Sequence, residues 1–194
     1  MPAGRIILVT GGARSGKSEV AEQLAAALAR RVVYLATAGV GDGEMAQRVR
    51  RHRERRPQSW DTVEETHLLA EKLLAVPAGS CVLVDCLTLW ITNLLLDESL
   101  PRQDASGDEK EAYILEETQR ALKAARDGEL VLILVSNQVG SGLVPDNELG
   151  RRFRDIAGRV NQQVAAGADR VYLVTAGIPL ELKSMAAPIG REVL

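Results

Sequence analysis

The run Gly11-Gly12-Ala13-Arg14-Ser15-Gly16-Lys17-Ser18 has the spacing G-x-x-x-x-G-K-[ST], which serves phosphate chemistry. Its glycines let the loop curl until successive backbone N–H groups converge on one anion, and a helix starting at Lys17 adds the positive end of its dipole. Lys17 is predicted to reach the β- and γ-phosphates of a purine nucleoside triphosphate, with the Ser18 hydroxyl ligating Mg²⁺. A second metal-binding group belongs at the end of a later apolar strand, and Val82-Leu83-Val84-Asp85 ends in a carboxylate. Asp85 also has a plainer use open to it, capping the helix that begins near Leu87.

Of the two histidines, His52 lies in the segment QRVRRHRERRP (47–57), among Arg48, Arg50, Arg51, Arg53, Arg55 and Arg56. If Glu44 to Arg56 is helical, Arg48, Arg55 and Arg56 share the face of His52, and Pro57 ends the helix. Neighbouring cations disfavour a further positive charge, so the imidazole is expected to be neutral and to keep a free lone pair. Arginine forks, including Arg53, Arg55 and Arg56, suit a triphosphate or a departing pyrophosphate. A neutral histidine among them is suited to attack on phosphorus. On the residues alone three uses remain open: a nucleophile, a solvated arginine-rich helix, or a nucleic-acid contact.

These groups need a scaffold, and the hydrophobic pattern supplies one. Ile6–Thr10, Val32–Ala36, Val82–Asp85, Leu130–Ser136 and Val171–Thr175 are near-continuous apolar runs, as in strands covered on both faces. Helical periodicity fills the intervals at Lys17–Arg30, Glu44–Arg56, Glu64–Leu74, Leu87–Leu96, Glu109–Arg126 and Asn147–Ala166. The alternation predicts a doubly wound α/β domain with a mostly parallel sheet flanked by helices. Ile178–Leu182 is a candidate edge strand, and Glu98–Asp108 is a polar surface loop. Asn137 ends a buried strand, where such sheets present ligand-binding groups. Arg151, Arg152, Arg154 and Arg159 are read mostly as solvated, and His67 as a surface residue at the start of a helix.

Composition narrows the function classes. A chain of 194 residues suits one domain, 1–194, with a single core. A net charge of -2 gives no global attraction to nucleic acid or anionic lipid, and 3% aromatics leave too few rings for base stacking. Cys81 and Cys86 read as core thiols of a reducing cytoplasm, with no metal-type spacing. No apolar run approaches the ~20 residues that cross a bilayer.

The phosphate loop GGARSGKS, the segment RVRRHRERRP, the run SNQVGSGLVP (136–145) and the run FRDIAGRVNQ (153–162) occur in an order that resembles one family. That family is the bifunctional adenosylcobinamide kinase/adenosylcobinamide-phosphate guanylyltransferases of cobalamin biosynthesis, and the resemblance covers nearly the whole chain. It implies a RecA-like P-loop fold, a homotrimer, and substrates comprising a corrinoid with ATP or GTP. It also implies two reactions. A terminal phosphoryl passes to the hydroxyl of the aminopropanol arm of adenosylcobinamide, and GMP then travels from GTP through a histidine to the new phosphate. His52 matches the GMP carrier and Gly11–Ser18 the phosphate loop, while Thr37, Glu64 and Asp85 fall near segments lining the nucleotide site.

Overall fold

The computed structural model describes residues 4–29, 31–38 and 57–187. Seven strands form one sheet: β1 (Arg5–Gly11), β2 (Val32–Ala36), β3 (Asp61–Glu64), β4 (Cys81–Asp85), β5 (Val131–Asn137), β6 (Arg170–Thr175) and β7 (Ile178–Glu181). Their order is β3-β2-β4-β5-β1-β6-β7, with every pairing parallel except the terminal β6–β7 hairpin. The helices are α1 (Lys17–Leu28), α2 (Leu69–Leu74), α3 (Leu87–Leu96), α4 (Gly107–Asp127), α5 (Glu148–Gly167) and α6 (Leu182–Met185).

The period-2 geometry of the strands divides the core into two layers. Ile6 and Leu8 of β1, with Leu132 and Leu134 of β5, pack against Trp90, Ile114, Ile156 and Val160 from the α3, α4 and α5 layer. Ile7 and Val9, with Ile133 and Val135, turn the other way onto Val20, Ala21 and Ala25 of α1. The central strands are apolar on both faces because both faces are covered, so their runs show no alternation.

The five strands expected from apolar runs appear with ends within one residue of those positions, and Ile178–Glu181 is the antiparallel edge strand. The expected helix Glu64–Leu74 is a correction. Asp61–Glu64 is instead an edge strand paired with β2, and only Leu69–Leu74 is helical. Asp-Thr-Val-Glu has three exposed residues and one half-buried one, so its hydrophobic signal is nearly silent. The Glu65 carboxylate then accepts from the backbone N–H groups of His67 and Leu68, turning the chain into α2. The polar loop also ends earlier than Asp108. Ser106 caps α4 in a capping box with Glu109, an S-x-x-E signal present in the sequence. The expected helix Glu44–Arg56 lies outside the described residues.

Candidate active site at the carboxyl edge of the sheet

Parallel strands place their carboxyl ends on one edge, and the chemistry-bearing residues converge there. Gly11 ends β1 and pairs with Asn137 of β5 and Val174 of β6; Asp85 ends β4 and, with Glu64 of β3, flanks Ala36 of β2. Glu64 is solvent-exposed at this edge.

The loop Gly11–Gly16 has the shape its glycines permit. Gly16 is the N-cap of α1 at φ 92°, a left-handed conformation that costs an L side chain strain. A Cβ on Gly11 would overlap the Val174 carbonyl oxygen and Ser15 Oγ. The β6–β7 turn supports the loop from behind, where Gly177 N–H donates to the Ser15 carbonyl at 2.8 Å. Ala13 and Arg14 are exposed at its crest, as is Gly12, while Ser15 Oγ is buried with no partner among the described residues.

Lys17 opens α1 and is 8% exposed, its Nζ donating to Gly12 O at 2.9 Å. Burial lowers its pKa below the ordinary value, against the opposing influence of Cys86 and the Asp85 carboxylate. The ammonium therefore waits in a poorly solvated place, bonded to a loop carbonyl, where a phosphate oxygen is a stronger acceptor.

Asp85 is held from the side: Tyr34 Oη donates to its Oδ2 at 2.9 Å. The capping alternative is not what the structure shows, because the N-cap of α3 is Cys86 and no side chain caps it. Thr37 is fully buried, donating its hydroxyl to Cys86 O and accepting from Cys86 N–H, both at 2.8 Å. That hydroxyl staples β2 to the residue after Asp85. Asn137 Nδ2 donates to Thr88 Oγ1 at 2.8 Å, tying β5 to α3. Both cysteines are free and buried, and burial pushes Cys81 up to about 12 and Cys86 upward as well.

Ser18, in the first turn of α1, and Asp85 are hard oxygen donors suited to Mg²⁺, which takes one or two protein ligands and completes its shell with phosphate and water. No group of three or more His, Cys, Asp or Glu that could hold a metal ion occurs among the described residues. His52, Arg53, Arg55 and Arg56 lie outside the described residues.

On α5 the arginines separate. Arg151 donates to Pro145 and Asp146 carbonyls, Arg152 pairs with Asp108 and Glu148, and Arg159 with Glu111. Arg154 differs, with a buried Nη1 that has no partner among the described residues. His67 precedes α2 and is not merely a surface residue. Its ring shares a 2.7 Å hydrogen bond with Thr66 and lies 3.4 Å from Asp97, and its carbonyl accepts from Trp90 Nε1. Those contacts are long-range in part, and helical periodicity carries no sign of them.

A glycine-rich loop between a central parallel strand and a helix, on the sheet edge where a neighbouring strand ends in an aspartate, defines a P-loop fold of the RecA-like class. An ATPase of the type III secretion system of pathogenic bacteria has a similar fold, with TM-score 0.58 and 14% identity over 92% of this chain; the chain spans 57% of its length. Residues 7–182 match the family described as cobinamide kinase / cobinamide phosphate guanyltransferase, and the chain belongs to that family. It is 49% identical over 179 residues to the bifunctional adenosylcobalamin biosynthesis protein CobP of Pseudomonas aeruginosa, covering 91% of this chain and 96% of that one. It is 44% identical over 181 residues to the bifunctional adenosylcobalamin biosynthesis protein CobU of Escherichia coli, covering 92% and 99%. Among the described residues no helix is long and apolar enough to cross a membrane.

Proposed function

We propose that this chain phosphorylates adenosylcobinamide with ATP or GTP and then guanylylates the product from GTP, giving adenosylcobinamide-GDP and pyrophosphate. The observation that carries the reading is the phosphate loop between β1 and α1, with the buried Lys17 bonded to Gly12 O at the carboxyl edge where Asp85 ends β4, in a chain of this family. In the first step the acceptor hydroxyl oxygen attacks the γ-phosphorus, the bond to the departing nucleoside diphosphate breaks, and the hydroxyl proton is released. Lys17 and the loop N–H groups hold the phosphate oxygens whose charge shifts toward the leaving group. Mg²⁺, held by Ser18 and Asp85, would neutralise phosphate charge there.

In the second step a neutral His52 nitrogen attacks the α-phosphorus of GTP and pyrophosphate leaves. A phosphate oxygen of the acceptor then displaces the histidine, restoring it. Arg53, Arg55 and Arg56 neutralise the triphosphate and the departing pyrophosphate. The arrangement works as a homotrimer in the cytoplasm. Strongly exposed Leu143, Val144, Ile178 and Met185 offer apolar surface for assembly, and two buried free thiols suit a reducing compartment.

The test is the intact mass of the chain after GTP and Mg²⁺. Wild type should gain one GMP through an acid-labile bond; His52→Asn should gain none yet still phosphorylate adenosylcobinamide. A persistent adduct would move the nucleophile elsewhere, and two unchanged activities would reduce His52 to part of a solvated helix.

A further inference from the structure

A cavity of about 330 Å³ lies under α5, on the sheet face opposite α1, bounded by the end of β1, the turn 138–141 and the start of β6. Among the described residues its polar lining consists of Thr10, Gln138, Ser141, Asn161 and Gln162, the other walls are aliphatic or glycine, and none is ionisable. Thr10 is only 9% exposed, and its Oγ1 is buried with no hydrogen-bond partner among the described residues. Asn161 Oδ1 is in the same condition, its Nδ2 reaching Asn137 O at 3.5 Å. Buried polar atoms without partners are few in native proteins, and two bordering one cavity mark a place where a partner enters.

We infer that this cavity binds a neutral primary carboxamide arm of the acceptor corrinoid, an inference that rests on the proposed function. The lining selects the chemistry. Without a cation it does not favour a phosphate, and without a carboxylate it does not favour an amine. Asn161 Oδ1 requires a donor, while the Thr10 hydroxyl gives or accepts, and a primary carboxamide supplies both an N–H and a C=O. The volume holds one side arm, not a corrin ring, and the corrin rim carries primary carboxamides.

Position agrees with chemistry. Thr10 immediately precedes Gly11, and Gln138 N–H donates to Gly11 O at 3.0 Å, so the cavity backs directly onto the phosphate loop. A corrinoid anchored there keeps its phosphoryl-accepting arm close to the edge where Lys17 stands.

The experiment is titration of the full chain with cobinamide, followed by absorbance, alongside separate titrations with ATP and GTP and unfolding of the free protein. Thr10→Val should weaken cobinamide binding by roughly tenfold. It should leave nucleotide affinity unchanged and the free protein no less stable, because the lost hydroxyl had no partner. Thr10→Ser, which keeps the hydroxyl, should bind as wild type does. Cobyrinic acid, with carboxylates in place of the amides, should bind more weakly and be insensitive to Thr10→Val. Unchanged cobinamide affinity in Thr10→Val would show a cavity that holds only water, and a loss confined to nucleotide affinity would assign it to the nucleotide; either overturns the inference. Wild type that binds GTP but no cobinamide would instead bring down the functional reading beneath it.

Discussion

Replacing Thr37 with valine removes one hydroxyl and tests whether the β2–β4 staple positions Asp85. In the folded protein that hydroxyl is wholly buried and satisfies both the N–H and the C=O of Cys86 at 2.8 Å. Valine keeps the shape and leaves the Cys86 N–H without its partner, while Cys86 O still accepts from Trp90 N–H at 3.2 Å. An unsatisfied buried backbone group costs about 1–3 kcal/mol, and the substitution should cost about that much. For a chain of this size that lowers Tm by about 2–12 °C. Urea unfolding of the nucleotide-free chain should show a lower midpoint with an unchanged slope, and phosphoryl transfer should slow at constant nucleotide KM because Asp85 loses its anchor. Thr37→Ser should recover most of both losses. Stability within about 0.5 kcal/mol of wild type, together with a raised nucleotide KM, would refute the staple and place the hydroxyl on the ligand.

Lys17→Met should abolish phosphoryl transfer, measured as kinase turnover, and raise the stability of the free protein at neutral pH. Burial lowers the Lys17 pKa below 10.5, so the unfolded chain binds that proton more tightly. The wild-type penalty is complete below the folded pKa and fades as pH rises toward 10.5, and the advantage of methionine in urea melts should fade with it. Asp85→Asn should shift the Mg²⁺ dependence of kinase turnover to higher concentration, with partial recovery in excess Mg²⁺; a loss equal at every concentration would remove the metal role. Glu181 accepts the Val171 N–H, and its pKa lies at about 2, with the Ser184 and Lys183 N–H groups helping to hold it there. Its contribution is present above the unfolded carboxylate value and lost as pH falls toward 2, so Glu181→Gln should narrow the gap between neutral and acid urea midpoints.

Continuous apolar runs made β1, β2, β4, β5 and β6 legible, because a strand buried on both faces writes its whole length in hydrophobic residues. The phosphate loop was legible for a different reason, since its glycines and lysine are required by backbone shape and ligand charge at fixed spacing. β3 was not, because an edge strand with one half-buried residue writes almost nothing. Nor were the bonds that hold the site in shape. Tyr34 to Asp85, Thr37 to Cys86 and Asn137 to Thr88 join residues about fifty positions apart, and no local pattern encodes such a pairing. Glu64 was singled out through resemblance, and the register explains its place: it flanks the same β2 residue as Asp85.

The distribution of unsatisfied polar atoms adds an argument of its own. Thr10, Ser15, Ser136, Arg154 and Asn161 carry the buried side-chain atoms that lack partners among the described residues. Thr10 and Ser136 are register partners near the ends of β1 and β5, and Ser15 sits in the phosphate loop. Asn161 reaches the end of β5, and Arg154 lies two helical turns earlier on α5, toward the end of that helix reached from the carboxyl edge. A core selected for stability alone would have paired or removed such atoms, since each one left alone weakens the folded state. Their gathering around the loop and the neighbouring cavity means that the cost falls where incoming ligand groups can offset it. Binding should therefore stabilise this chain by more than its contacts with phosphate alone would give, and the excess should appear with the corrinoid acceptor rather than with nucleotide.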